Sequence, residues 1–117
     1  MVIGTVSNDI HEIGKNICAS MARVKGFNVK DLGCDVPSSD FVNTAVKTNS
    51  KVIAVSSTMK STQKYQKEIV ELAAESDIPV LVGGASCTPT WAETIRAAGY
   101  SHDSVEFVNL LNTKFKV

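Results

Sequence analysis

Short apolar runs alternate along the chain with stretches whose apolar residues return every three or four positions, and this predicts a strand–helix repeat. Val2-Ile3-Gly4-Thr5-Val6 is brief, β-branched and bounded by polar turn residues, the pattern of a buried strand. After it, Ile13, Ile17, Met21 and Val24 recur as one face of a helix that Gly26 closes. Residues 27–32 alternate as a second strand, and Ser38 or Ser39 offers a cap for a second helix carrying Phe41, Val42, Ala45 and Val46. Val52-Ile53-Ala54-Val55 is the most continuous apolar run and predicts a central strand covered on both faces. It empties into a hydroxyl-rich loop at residues 56–62. A third helix follows with Tyr65, Ile69, Leu72 and Ala73 on one side, then a fourth strand at 79–82 ending in Gly83-Gly84-Ala85. Trp91 and Ile95 mark a fourth helix, residues 99–101 a short fifth strand, and Val105, Val108, Leu111 and Phe115 a last helix.

Strict alternation implies an α/β fold, a parallel sheet between helices, because right-handed crossovers put the connections on its faces. For five strands the flavodoxin-like (Rossmann-like), doubly wound order 2-1-3-4-5 is expected, with the switch point between the first and third strands. Ligands of such sheets bind beyond the carboxyl ends of the strands. The Asp9-x-His11 loop and the 56–62 loop then flank one crevice, with Gly83-Gly84 beside them.

Bulk properties narrow the function classes. The 117 residues suit one domain, spanning 1–117. Lys+Arg and Asp+Glu both number 12, so net charge gives no footprint for nucleic acid or an anionic membrane. No apolar stretch matches a bilayer span and no basic-then-apolar leader opens the sequence, so a cytoplasmic protein is expected. Cys18, Cys34 and Cys87 are widely spaced and form no CxxC pair, which argues against a disulfide framework and a zinc knuckle. Cys18, on a helix, reads as a small apolar filler.

The candidate chemistry gathers at the first loop. An Asp two residues before a His can hold one ring nitrogen and leave the other free for a metal or a proton. No second His, Cys or acid stands nearby at ligand spacing, and His102 is far along the chain, so a protein-only zinc site lacks its ligands. A single histidine makes sense as the axial ligand of a metal already held in a macrocycle. Gly83-Gly84 is either a plain turn or a place where backbone approaches a bulky ligand. Ser56 and Ser57 either finish a strand or reach across the switch point to Asp9 or to a buried ligand. A phosphorylated receiver site would need an Asp where the chain has Val55-Ser56-Ser57. A flavin phosphate cradle would not use Ser7-Asn8-Asp9-Ile10-His11, which is too acidic and too bulky.

These residues carry a resemblance. Asp9-x-His11-x-x-Gly14, the serine loop and Gly83-Gly84 resemble the DxHxxG…S…GG signature of cobalamin-binding domains. Gly4-Thr5-Val6, Asp31-Leu32-Gly33, Val36-Pro37 and Gly83-Gly84-Ala85 extend the likeness to the corrinoid proteins of methyltransferase systems, relatives of the cobalamin domain of methionine synthase. The resemblance implies cobalamin, a cobalt corrinoid, bound base-off/His-on. His11 replaces the dimethylbenzimidazole as metal ligand, Asp9 accepts the other ring proton, and Ser56 completes a His–Asp–Ser relay. Gly14, Gly83 and Gly84 make room for the nucleotide tail, with Ser57 and Thr62 as polar contacts to it. Glu12, Ile13, Met59, Ala85 and Tyr100 complete the implied cofactor-binding set.

The same resemblance implies a carrier subunit rather than a complete enzyme, shuttling a methyl group on cobalt between methyl-donor and methyl-acceptor methyltransferases, with a reductive-activation partner. The small subunit of an adenosylcobalamin-dependent mutase and a cobalamin storage or sensor module are the alternatives. Three departures stand out. Asn8 replaces the usual Gly, implying a stiffer or differently turned loop, and Ala98 replaces a common Asp. The helical bundle that normally precedes the domain and caps the upper cobalt face is not in the sequence. The chain is therefore expected to be either an excised domain or a carrier capped by a partner.

Overall fold

The computed structural model describes residues 1–115. Strands β1 (Val2–Thr5), β2 (Lys30–Asp31), β3 (Ile53–Ser56), β4 (Val80–Gly83) and β5 (Gly99–Tyr100) alternate with helices α1 (Ile13–Val24), α2 (Ser38–Lys47), α3 (Gln63–Ala74), α4 (Pro89–Thr94) and α5 (Ser104–Lys114). The strands form one parallel sheet in the expected order β2-β1-β3-β4-β5. β2 is far shorter than its alternating pattern suggests. Only Lys30 and Asp31 pair with β1, and Val36 adds an isolated bridge to Val6.

Strand alternation splits the core in two. Val2, Ile53, Val55, Val80 and Val82 face α2, α3 and α4, packing on Phe41, Ile69 and Ile95. Ile3, Val52, Ala54 and Leu81 face α1 and α5, packing on Ala19, Ala22, Phe107 and Leu111. The register on the second face explains where a site can form. Ile3, Ala54, Leu81 and Gly99 lie in one cross-strand row. The next row toward the carboxyl edge is Thr5, Ser56 and Gly83, with Ser101 just beyond β5. Those four residues are small, so the sheet cannot fill the space between α1 and α5 at that end.

Two local expectations need correction. Ser38 does not cap α2. It is the first helical residue, after Pro37, and its buried hydroxyl has no hydrogen-bond partner among the described residues. Ile13 and Ile17 do not face the core, being 80% and 48% exposed, and Val24 is exposed as well. The buried side of α1 is Lys15, Ala19 and Ala22. Small residues there let the helix lie close to the sheet, which leaves its larger apolar residues on the outer side.

Lys15, only 4% exposed, is the unusual member of that buried side. Its ammonium donates to both Asp31 carboxylate oxygens at 2.8 and 2.9 Å, to Asn16 Oδ1 at 2.6 Å and to Glu12 Oε1 at 3.3 Å. Asp31 Oδ1 also accepts from the Gly33 N–H at 2.9 Å. The pair thereby pins the start of α1 to the end of β2. Asp31→Ala strands a buried cation, and partial water access at Asp31 moderates the penalty. A loss of about 2 kcal/mol in the free energy of urea unfolding is expected.

Candidate functional site

The loop between β1 and α1 is braced before it delivers any chemistry. Asn8 has φ +65° and Asp35 φ +53°. The Asn8 N–H donates to Asp35 Oδ1 at 2.7 Å, and the Asp35 N–H donates to the Asp9 carbonyl at 2.9 Å. Asparagine tolerates the left-handed conformation that glycine would otherwise supply, so Asn8 turns the loop as a glycine could. It adds a bond from its amide to the Tyr65 hydroxyl at 3.0 Å.

Asp9 is fully buried, and its carboxylate is the hub of the loop. Oδ1 lies 2.9 Å from His11 Nδ1 and accepts from the His11 N–H at 3.2 Å. Oδ2 accepts from the Thr58 N–H at 2.7 Å and from the Thr62 hydroxyl at 3.1 Å. The Thr58 hydroxyl sits 2.9 Å from both carboxylate oxygens and 2.9 Å from His11 Nδ1. Burial by itself raises the Asp9 pKa, but these bonds, led by the Thr58 N–H, together outweigh it and hold the group at about 2. An ionised carboxylate only accepts, so the proton belongs on His11 Nδ1 and the lone pair on Nε2. Thr5 donates its hydroxyl to the His11 carbonyl at 3.0 Å. The His11 side chain is 59% exposed, and Nε2 makes no hydrogen bond among the described residues.

Because the folded pKa lies below the ordinary 3.8, Asp9 adds stability that is fully present above 3.8 and is lost as pH falls toward about 2. Urea midpoints measured across that range should fall more steeply for the native chain than for Asp9→Asn.

Beside His11 opens a cleft of about 1010 Å³ between α1 and α5, at the upper end of ordinary small-molecule sites. His11, Glu12, Ile13 and Gly14 line it from the first loop and helix, and Ser56, Gly83, Gly84 and Ala85 from the strand ends. The exposed Ile10, Ile13 and Ile17 therefore wall a cavity rather than a core.

Other sequence expectations resolve differently. Ser56 lines the cleft but makes no hydrogen bond to Asp9 among the described residues; the hydroxyls on that carboxylate are those of Thr58 and Thr62. Ser57 and Thr62 are buried, their hydroxyls 2.8 Å apart and 3.1 and 3.0 Å from the Met59 carbonyl, so these residues buttress Asp9 from behind the cleft. Tyr100 points to the opposite face of the sheet, packing with the α2–α4 core. The glycines also divide. A Cβ on Gly14 would meet nothing within 4 Å, whereas one on Gly83 would stand 3.2 Å from the Ser101 carbonyl. A Cβ on Gly84 would run into the backbone of Ser57, so that glycine is demanded by the fold and not by cleft space. The sequence reading missed Thr58, and it missed residues 101–104, which close the far side of the cleft. Their signal was position, since they follow the carboxyl ends of β3 and β5.

Among the described residues no group of three or more His, Cys, Asp or Glu could hold a metal ion, and no helix is long and apolar enough to cross a membrane.

Comparison with known proteins agrees with this geometry. The B12 binding domain family model matches residues 1–107. Dimethylamine corrinoid protein 2 of Methanosarcina mazei is 41% identical over 112 residues, covering 92% of this chain and 52% of that protein. Among solved structures, a cobalamin-binding protein from Desulfitobacterium hafniense superposes with a TM-score of 0.90 at 31% identity, covering 96% of this chain and 57% of that one. The methanol:cobalamin methyltransferase complex MtaBC from Methanosarcina barkeri gives a TM-score of 0.88 at 27% identity, over 96% of this chain and 45% of that one. The chain thus spans about half the length of the relatives it matches.

Proposed function

The chain belongs to the B12 binding domain family, and from that premise we propose that it binds a corrinoid whose cobalt His11 would hold, serving as the methyl-carrying unit of a corrinoid methyltransferase system. One observation carries the reading: an exposed imidazole with its Nδ1 committed to a buried carboxylate and its Nε2 free, at the mouth of a deep cleft. The fit extends to the cleft itself, where Gly14 leaves open space and the strand-edge row is small.

When bound, the corrinoid supplies the organometallic chemistry, with cobalt as the bearer of the methyl group. The chain's own residues bind and orient. Asp9 fixes the tautomer that presents the Nε2 lone pair, and Thr58 and Thr62 hold Asp9 in place. Thr5 fixes the backbone of His11 from below. The cleft between α1 and α5 would receive the nucleotide tail. Residues 1–117 then act as the cobalamin-binding unit, with methyl-donor and methyl-acceptor methyltransferases, and a reductive activator, as partners. The relatives named as dimethylamine corrinoid proteins support the carrier reading over a mutase subunit.

The test labels histidine. The chain is grown with 15N-histidine, loaded with cobalamin and reduced to the Co(II) state. The axial nitrogen splitting in its electron paramagnetic resonance should change from a triplet to a doublet. His11→Ala should bind more weakly and lose that splitting. A triplet that persists in labelled protein means that benzimidazole still holds the cobalt, and the reading fails.

A further inference from the structure

We propose that the floor of the cleft is a base selector, favouring corrinoids whose nucleotide tail ends in an apolar benzenoid ring over those ending in a purine. The inference deepens the preceding reading and rests on it, since it takes the cleft as the slot for that tail.

The floor is the cross-strand row Ile3, Ala54 and Leu81, one pleat below the small residues of the edge. All three are nearly inaccessible, and their side chains carry no polar atom. Their strands run side by side in the parallel sheet, so backbone N–H and C=O groups at this depth are committed to the ladder. α5 closes the slot with Phe107, and α1 closes it with Ile17 and Cys18. Burial pushes the Cys18 thiol up to about 11, so it stays neutral and is at most a weak donor.

Lys15 also lines the cleft, but its ammonium is committed to Asp31, Asn16 and Glu12. The remaining polar groups are those of His11, Glu12, Asn16 and Thr58 about the first loop and the start of α1, and of Ser56, Ser101 and residues 102–104 at the strand edge. They suit the ribose and phosphate part of a tail. A ring reaching the floor therefore meets carbon and one thiol. A benzenoid ring gains dispersion contacts there and gives up little to water. A purine brings an exocyclic amine and several ring nitrogens, and each loses its water without gaining a partner. Shape alone would not separate the two classes strongly; the unpaired polar atoms do.

The probes are two corrinoids, one with a p-cresolyl tail and one with an adenine tail. Neither base holds cobalt firmly in the free corrinoid, so the comparison reads the slot and not the cost of unseating a base. Equilibrium titration is followed by visible absorption and by the fluorescence of the single Trp91. The p-cresolyl form should bind about tenfold tighter or more. Cys18→Ser, a near-isosteric change, places a hydroxyl at the wall and should narrow the ratio by about threefold. Ala54→Ser should do the same from the floor.

Equal affinities, or a preference for adenine, overturn the selector. So does a preference that stays unchanged in both serine variants, because the choice is then made elsewhere. Binding of both corrinoids through His11 with equal affinity leaves the carrier reading standing and removes only this inference. If neither binds, the carrier reading falls and the selector falls with it.

Discussion

Gly84→Ala is expected to lower the unfolding free energy by about 4 kcal/mol, although alanine is ordinarily the mildest of replacements. Gly84 has φ +110°, a conformation that side chains rarely adopt. Its absent Cβ points at Ser57, where it would lie 2.7 Å from both the backbone nitrogen and the carbonyl carbon. Ser57 has little freedom to yield. Its N–H donates to the Gly83 carbonyl at 3.0 Å, and its own carbonyl accepts from the Ser86 hydroxyl at 2.9 Å. The Cys87 N–H holds the Gly84 carbonyl at 3.0 Å. Relief of the clash therefore breaks the contact between the β3 and β4 loops. Gly83→Ala makes the comparison, since its Cβ would meet the Ser101 carbonyl at 3.2 Å and a small shift accommodates it. A loss of about 1 kcal/mol is expected there. Guanidinium unfolding with unchanged slopes checks both. A Gly84→Ala protein within 1 kcal/mol of the native chain would mean that the loop is far more yielding than its bonds imply.

The order of the strands and the edge that holds the site were legible because both follow from periodicity and topology. A run such as Val52-Ile53-Ala54-Val55 has few alternatives to a central strand, and alternation with helices leaves one common sheet order. What an apolar stripe faces was not legible. Ile13 and Ile17 recur at helical spacing whether they meet a core or a cavity, and the pattern carries no mark of which. The buried side of α1 was hidden for the converse reason. It consists of two alanines and a lysine, and the lysine is inside because Asp31, Asn16 and Glu12 receive its three protons.

Hydroxyl partners were similarly beyond the sequence. Residues 56–62 offer five hydroxyl groups, and any of them could be drawn toward Asp9. Which ones arrive depends on the turn after β3. That turn aims the Thr58 N–H and hydroxyl at the carboxylate, sends Ser57 to Thr62 and Ser86, and leaves Ser56 on the cleft. Asn8, which implies a stiffer or differently turned loop, shows how it meets both demands only in the structure: it adopts φ +65° and ties the loop to α3 through Tyr65. In each case the missing information was the direction of a backbone group, which a string of residue types does not record.

Gly14→Leu should separate the cleft from the fold. Gly14 is the second residue of α1, and a Cβ there would meet nothing within 4 Å. Unlike Gly84, it occupies no backbone conformation that demands glycine. Leucine is a better helix former than glycine by nearly 1 kcal/mol, so unfolding free energy should hold or rise by roughly 0.5 kcal/mol. The leucine side chain enters the cleft beside His11, in the space proposed above for the tail of the corrinoid. Affinity for cobalamin should therefore fall on the order of a hundredfold, a loss of about 3 kcal/mol. Titration by visible absorption reads the affinity, and urea unfolding of the corrinoid-free chain reads the stability. Loss of both together would give Gly14 a structural role that its open surroundings do not support. Retention of both would put the tail somewhere other than the space between α1 and α5. The predicted outcome, a stable chain that no longer holds its corrinoid, follows because the helix and the cleft ask opposite things of the same Cβ.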